Sequence, residues 1–162
     1  MNVLLIGSGG REHALAWAMA GSPSVARVWA APGNAGMSTQ ATLVLLAATD
    51  VAGVTHWASE NDMDLVVIGP DAAVAAGLAD ALHAAGIAAF GPTQAASELE
   101  WSKAFAKDFM TRHDIPTAAY GVFEDADAAL AYVSQAPVPI VVKADGLAAG
   151  KGVIVCETRE QA

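Results

Sequence analysis

The glycine-rich turn after the first apolar run most constrains what this chain can fold into. Residues 2–6 (N-V-L-L-I) are almost wholly apolar, as a strand buried on both faces must be. Gly7-Ser8-Gly9-Gly10 then turns the chain, and residues 11–20 read as a helix with Leu15, Trp17, Ala18 and Met19 as its apolar members. Strand, glycine turn and helix open a Rossmann-like unit, so a parallel, doubly wound sheet is expected. The dinucleotide fingerprint needs a third glycine at position 12, where Glu12 stands. It also needs an acidic residue closing the second strand, where V-W-A-A at 28–31 leads into Pro32-Gly33. A nicotinamide dinucleotide is therefore disfavoured. A helix N-terminus behind a glycine turn still suits an anion, and Arg11 adds a charge-assisted donor, so Gly9, Gly10 and Arg11 are candidate contacts. The same glycines also suit a turn that only packs closely.

The alternation continues along the chain. Residues 26–30 form a second strand, followed by the loop Pro32-Gly33-Asn34-Ala35-Gly36 at its carboxyl end, the edge where doubly wound sheets hold ligands. A third strand is expected over 42–46, a helix from an Asp50 cap to about residue 61, a fourth strand over 65–68 and a fifth over 87–90. Asp71 follows the fourth strand. It reads first as the cap of a helix over 72–85, and alternatively as a contact to a ribose hydroxyl or an amine. Two short helices, 94–99 and 103–113, follow, with Ser102 placed to cap the second and Pro116 beyond its end. Residues 118–122 read as a strand and 126–134 as a helix. The expected division is a Rossmann-like domain over 1–92, a helical linker over 93–115 and the start of a second domain over 116–162.

That second domain holds the stretch hardest to explain as packing. Residues 140–156 run I-V-V-K-A-D-G-L-A-A-G-K-G-V-I-V-C, two β-branched strands around a turn with Gly146, Gly150, Gly152 and Lys151. Glycines let backbone N–H groups converge on an anion, and the lysines suggest phosphate. Gly146 and Gly150 are separated by three residues, Lys151 is followed by Gly152, and the chain returns as a strand, so this is no Walker motif. The bland alternative is a Gly/Ala hairpin with solvated lysines. Lys143 argues against it, because a cation ending an apolar run is costly to desolvate unless an anion meets it.

Composition narrows the function classes. A formal net charge of −9, with only eight Lys plus Arg, argues against a general nucleic-acid or anionic-membrane binder. The one cysteine, Cys156, excludes an internal disulfide and reads as a buried thiol, which fits a reducing cytoplasm. The four histidines have no metal-site spacing, and no residue is assigned as catalytic or as a metal ligand. No apolar run approaches the ~20 residues that cross a bilayer, and nothing resembles a signal peptide.

Taken together, G-S-G-G-R-E-H-A-L at 7–15, A-P-G-N-A-G at 31–36, V-I-G-P-D at 67–71, F-G-P-T at 90–93, S-K-A-F-A-K-D-F-M at 102–110, I-P-T-A at 115–118 and K-A-D-G-L-A-A-G-K-G-V at 143–153 carry a resemblance. The chain resembles the amino-terminal portion of the phosphoribosylamine–glycine ligases of the ATP-grasp superfamily. The resemblance implies an α/β fold, with a Rossmann-like (pre-ATP-grasp) parallel-sheet domain followed by the incomplete start of an ATP-grasp domain. It implies ATP-dependent joining of glycine to 5-phosphoribosylamine through glycyl phosphate, in purine biosynthesis, with ATP and Mg²⁺ as cofactors and the metal ligands beyond residue 162. It places Lys103, Lys143, Gly146, Gly150, Lys151 and Gly152 on the nucleotide. Gly9, Gly10, Arg11, Asn34, Gly36 and Asp71 fall on the phosphoribosylamine side. Three departures stand out: Asp71 occupies a position where glutamate is common, Trp101 replaces a small residue before S-K-A-F, and the family enzymes are much longer. The competing readings are a non-catalytic module that binds a phosphometabolite or nucleotide, and another carboxylate–amine ligase of the superfamily.

Overall fold

A computed structural model describes residues 1–148 and 151–162. The chain divides into two compact units, Met1–Ser97 and Glu98–Ala162.

The first unit is built on five parallel strands: β1 (Asn2–Gly7), β2 (Arg27–Pro32), β3 (Thr42–Leu43), β4 (Leu65–Ile68) and β5 (Ala89–Phe90), in the spatial order β3-β2-β1-β4-β5. β1 is central, with Val3 opposite both Val28 and Leu65 and Ile6 opposite both Ala31 and Ile68. Alternation along β1 sends Leu4 and Ile6 to one face and Val3 and Leu5 to the other. On the first face they pack with Val54 and Ala58 of α2 (Val51–Glu60), Ala73 and Val74 of α3 (Asp71–Ala75), and Leu78 and Leu82 of α4 (Leu78–Ala84). On the second they meet Ala16 of α1 (Gly10–Ala20) and Met37 of the 3₁₀ turn Ala35–Thr39. Helices thus cover both faces, which is why Val3–Ile6 of β1 and Leu65–Ile68 of β4 are apolar without interruption. Each fully buried aliphatic side chain contributes roughly 1.5–3 kcal/mol.

Several elements differ from the sequence reading. The third strand is only Thr42–Leu43, because Leu46 N–H turns back to Val44 O; the fifth is only Ala89–Phe90. The helix expected over 72–85 is two, α3 and α4, broken where Gly77 takes φ +86°. Asp71 does not cap: the N-cap position falls to Pro70, and Asp71 is the exposed first residue of α3. The inward face of α1 is Glu12, Ala16 and part of Met19, while Leu15 and Trp17 face solvent. Asp50 caps α2 as expected, accepting from Gly53 N–H at 2.9 Å.

In the second unit α5 (Gln94–Trp101) ends and α6 (Lys103–Arg112) follows, its Ser102 cap accepting from Phe105 N–H at 3.1 Å. Residues 118–122 form no strand. They are tied to α6 instead: Lys107 Nζ donates to Thr117 Oγ1 and Ala118 O, and Tyr120 Oη lies 3.1 Å from Thr111 Oγ1. After α7 (Ala126–Gln135), β6 (Ile140–Lys143) and β7 (Val153–Cys156) pair as an antiparallel ribbon, with Ile140 opposite Cys156 and Lys143 opposite Val153. Most of the ribbon's apolar residues are exposed, but Cys156 is fully buried. Its thiol should therefore resist a soluble disulfide reagent in the native chain and react promptly once denaturant is added. Equal labelling rates in the two states would show that the thiol is accessible after all.

Candidate functional site

The strand order reverses between β1 and β4: from β1 the chain winds outward through β2 and β3, then returns to β4 on the other side. In such sheets the crevice beyond the carboxyl ends of the two diverging strands holds the ligand. Here those ends are Gly7 and Gly69, and the crevice is occupied by the side chain of Glu12. A Cβ built on Gly7 would lie 2.6 Å from Glu12 Cγ, one on Gly9 2.8 Å from Oε2, and one on Gly69 2.5 Å from Cγ. Three glycines thus make room for one carboxylate. Glu12 Oε2 accepts from Gly9 N–H at 2.8 Å, and Oε1 accepts from Arg11 Nε at 2.8 Å. The Glu12 side chain is 6% exposed, whereas Arg11 is 62% exposed and also donates through Nη2 to Gly69 O. Arg11 therefore ties the first turn of α1 to the backbone just past the end of β4. Its pKa is raised above the ordinary value by the Glu12 hydrogen bond and the charges of Glu12 and Asp71, against a smaller desolvation.

The loop after β2 joins the same edge. Asn34 Nδ2 donates to Ser8 O at 2.9 Å, and its Oδ1 accepts from Gly36 N–H at 2.8 Å, fixing residues 34–36 against the glycine turn. Gly36 lies against His13, whose Cε1 would be 2.7 Å from an added Cβ. Gly9, Gly10, Arg11, Asn34, Gly36 and Asp71 are therefore grouped at one sheet edge. The N–H groups of Gly9 and Gly36 are already bonded, to Glu12 and Asn34 respectively. Glu12 and His13 belong to the group but were not singled out from sequence. A glutamate three residues after a helix N-cap can return to the N-cap N–H, and Glu12 makes this half of a capping box, Gly9 having no side chain to make the other.

In the second unit, the end of the ribbon is fastened to α6. Asp145 Oδ1 accepts from Lys103 N–H at 2.5 Å and Ala104 N–H at 3.1 Å, and Oδ2 from Ser102 Oγ at 3.1 Å. Lys103 Nζ donates to Gly146 O at 3.1 Å. Partial desolvation pushes the Asp145 pKa up. It is outweighed by hydrogen bonds from Ala104, Ser102, Lys103 and Gly146, which together leave it below the usual value of 3.8. Gly146 takes φ +85°, where a side chain would be strained. Gly152 permits close approach, since a Cβ there would lie 2.7 Å from that of Ala148. Ala144 N–H to Gly152 O, 2.7 Å, closes the base of the loop. Lys143 and Lys151 are exposed near this base, and Gly150 lies outside the described residues. Trp101 is half-buried as the last residue of α5. Asp145, inside the motif but not singled out there, is what joins Lys103 to the loop. Among the described residues no group of three or more His, Cys, Asp or Glu is arranged to hold a metal.

Comparison with known proteins gives a consistent picture. Residues 1–100 match the family model for the phosphoribosylglycinamide synthetase N domain, and residues 101–162 match that for the phosphoribosylglycinamide synthetase ATP-grasp (A) domain. A phosphoribosylamine–glycine ligase of Yersinia pestis is 57% identical over 164 residues, covering 100% of this chain and 38% of the relative. One from Mesorhizobium japonicum is also 57% identical, over 162 residues with the same coverage. The chain thus spans 38% of the length of these relatives. The crystal structure of phosphoribosylamine–glycine ligase from Thermotoga maritima aligns with a TM-score of 0.79 at 31% identity, covering 99% of this chain and 37% of that one. The N5-carboxyaminoimidazole ribonucleotide synthetase of the same organism, 17% identical with a TM-score of 0.67 and covering 99% and 43%, shares the fold.

Gly69→Ala should destabilise the first unit by roughly 1–3 kcal/mol, because Glu12 must move and φ at this position is not the cause. Gly10→Ala, with nothing within 4 Å of the new methyl, should change stability by less than about 0.5 kcal/mol. Denaturant titration followed by tryptophan fluorescence reads both, and equal shifts would remove the packing explanation. For Asp145 the folded pKa is depressed, so its stabilisation is present above the unfolded value and disappears as pH falls through the folded one. Asp145→Asn should cost roughly 0.5–2 kcal/mol at neutral pH. The deficit should shrink below about pH 3.8. Amide exchange at Lys103 and Ala104 measures it, and a deficit independent of pH would contradict the charge argument.

Proposed function

From a chain that belongs to the phosphoribosylglycinamide synthetase family, with both domain models spanning it end to end, we propose the amino-terminal part of a phosphoribosylamine–glycine ligase. The reaction is the ATP-dependent joining of glycine to 5-phosphoribosylamine, which yields glycinamide ribonucleotide, ADP and phosphate in purine biosynthesis. ATP phosphorylates the glycine carboxylate, and the amine then attacks the acyl carbon and expels phosphate. Both the transferring phosphoryl group and the acyl phosphate are anionic, so the protein's task is positioning and charge neutralisation.

In this reading residues 1–92 form the Rossmann-like domain, 93–115 a helical linker and 116–162 the opening of the ATP-grasp domain. Gly10 N–H and Arg11 meet the phosphate of phosphoribosylamine, with Gly9 providing clearance, Asn34 and Gly36 shaping the neighbouring loop, and Asp71 reaching the sugar or amine. Lys103, Lys143 and Lys151 neutralise the phosphates of ATP, and the backbone around Gly146, Gly150 and Gly152 encloses them. The glycine-rich loop fits a phosphate chain, since Gly146 and Gly152 adopt conformations and approaches that a side chain would block. Mg²⁺ would offset further charge on those phosphates, and the cytoplasm is the expected compartment. No helix among the described residues is long and apolar enough to cross a membrane.

The observation that carries this reading is the bond from Lys103 Nζ to Gly146 O. Two segments 43 residues apart, each expected from sequence at the nucleotide phosphates, are brought into contact. Titration of the ¹⁵N-labelled chain should shift Gly10 and Arg11 with ribose 5-phosphate, and Gly146 and Gly152 with ATP. Lys143→Ala should weaken ATP by roughly 10–100-fold, the worth of one charge-assisted contact. Unshifted signals at millimolar ligand, or an unchanged ATP affinity in the variant, would refute the assignment.

A further inference from the structure

Glu12 holds the place where a dinucleotide-binding turn has its third glycine, and its side chain folds back into the turn. Its carboxylate takes the Gly9 N–H and fills the gap beside Gly7, Gly9 and Gly69. That gap lies between the ends of β1 and β4, where the strand order reverses and a phosphate would otherwise approach the backbone. We infer that Glu12 is the positioning and specificity-determining residue of this turn: it supplies the turn's anion from within and leaves a ligand phosphate to Arg11 and the Gly10 amide.

The geometry shows how. Arg11 is bonded at Nε by Glu12 and at Nη2 by Gly69 O, so the guanidinium is held at both ends across the crevice. Among the described residues Nη1 makes no hydrogen bond, and the side chain is 62% exposed. A flexible arginine loses much of its rotamer freedom when it binds an anion; one already oriented loses less, and its fork stays aligned for a phosphate. The Gly10 position is open, with nothing within 4 Å of its would-be Cβ. The crevice therefore has no room for a pyrophosphate at Gly9, whereas a single phosphate has a cation and a free helix-terminal amide beside it. A ligand with one phosphate group is the class this arrangement admits.

This inference rests on the reading that the edge binds phosphoribosylamine, for which ribose 5-phosphate is the stable probe. In the wild-type chain the probe should shift Gly10 and Arg11 Nε–H and leave the Gly9 amide, already bonded, nearly unmoved. Glu12→Gln keeps the shape but turns an amide toward Arg11 or toward Gly9. The spectrum should stay folded, Arg11 Nε–H should exchange rapidly with water, and the dissociation constant should rise about tenfold or more. Glu12→Ala removes packing against Gly7 and Gly69 together with the carboxylate, which is why the isosteric variant decides. A folded Glu12→Gln chain that binds the probe as tightly as wild type, or a Gly9 amide that moves most on binding, overturns the inference alone. Failure of the wild-type chain to bind the probe at millimolar concentration overturns the functional reading and, with it, this role.

Discussion

A carboxylate buried where a parallel sheet reverses its strand order is the interaction on which the first unit's candidate ligand edge depends. Burying a charge costs several kcal/mol unless hydrogen bonds and an opposite charge offset it. For Glu12 the offset comes from the Gly9 N–H, the Arg11 guanidinium and the amino end of α1. These partners lie within four residues of one another in sequence, so the glycine turn, the helix start and the arginine are fixed together. Gly69 connects that cluster to β4 through its carbonyl, and Asn34 connects the loop after β2 through Ser8. Three separate segments are thereby referred to one side chain.

The fold was legible to the extent that buried strands and glycine turns announce themselves. The almost wholly apolar run at 2–6 demanded a sheet covered on both faces, and β1 is the central strand with neighbours on each side. What misled was short-range. Residues 118–122 look like a strand, but a strand needs a partner; Lys107 and Tyr120 tie this segment to α6 instead. The break in the helix over 72–85 rests on Gly77 alone, and a lone glycine is compatible with either a continuous or a broken helix until tertiary packing decides.

The site was legible where residue type signals chemistry, and hidden where a residue acts through others. Arg11, Lys103 and the glycines of 146–152 stand out because cations and glycine clusters are uncommon in so apolar a chain. Glu12 and Asp145 do not stand out among seventeen acidic residues. Their importance comes from the donors they meet: a helix start in each case, plus a cation for Glu12 and a serine for Asp145. Position relative to a helix start was the available clue for Glu12. For Asp145 the donors at the start of α6 lie more than forty residues away, and only the folded chain brings them together.

The ribbon of β6 and β7 carries a consequence for cooperativity. Cross-strand pairing places Lys143 on the same face as Val141, Val153 and Val155, so an ammonium shares a plane with three exposed valines. Any surface that covers those valines gains apolar burial but also strips water from the ammonium, a loss that an anion beside it would restore. Covering the face and binding an anion at Lys143 are therefore thermodynamically linked: each makes the other more favourable, by the same factor in both directions.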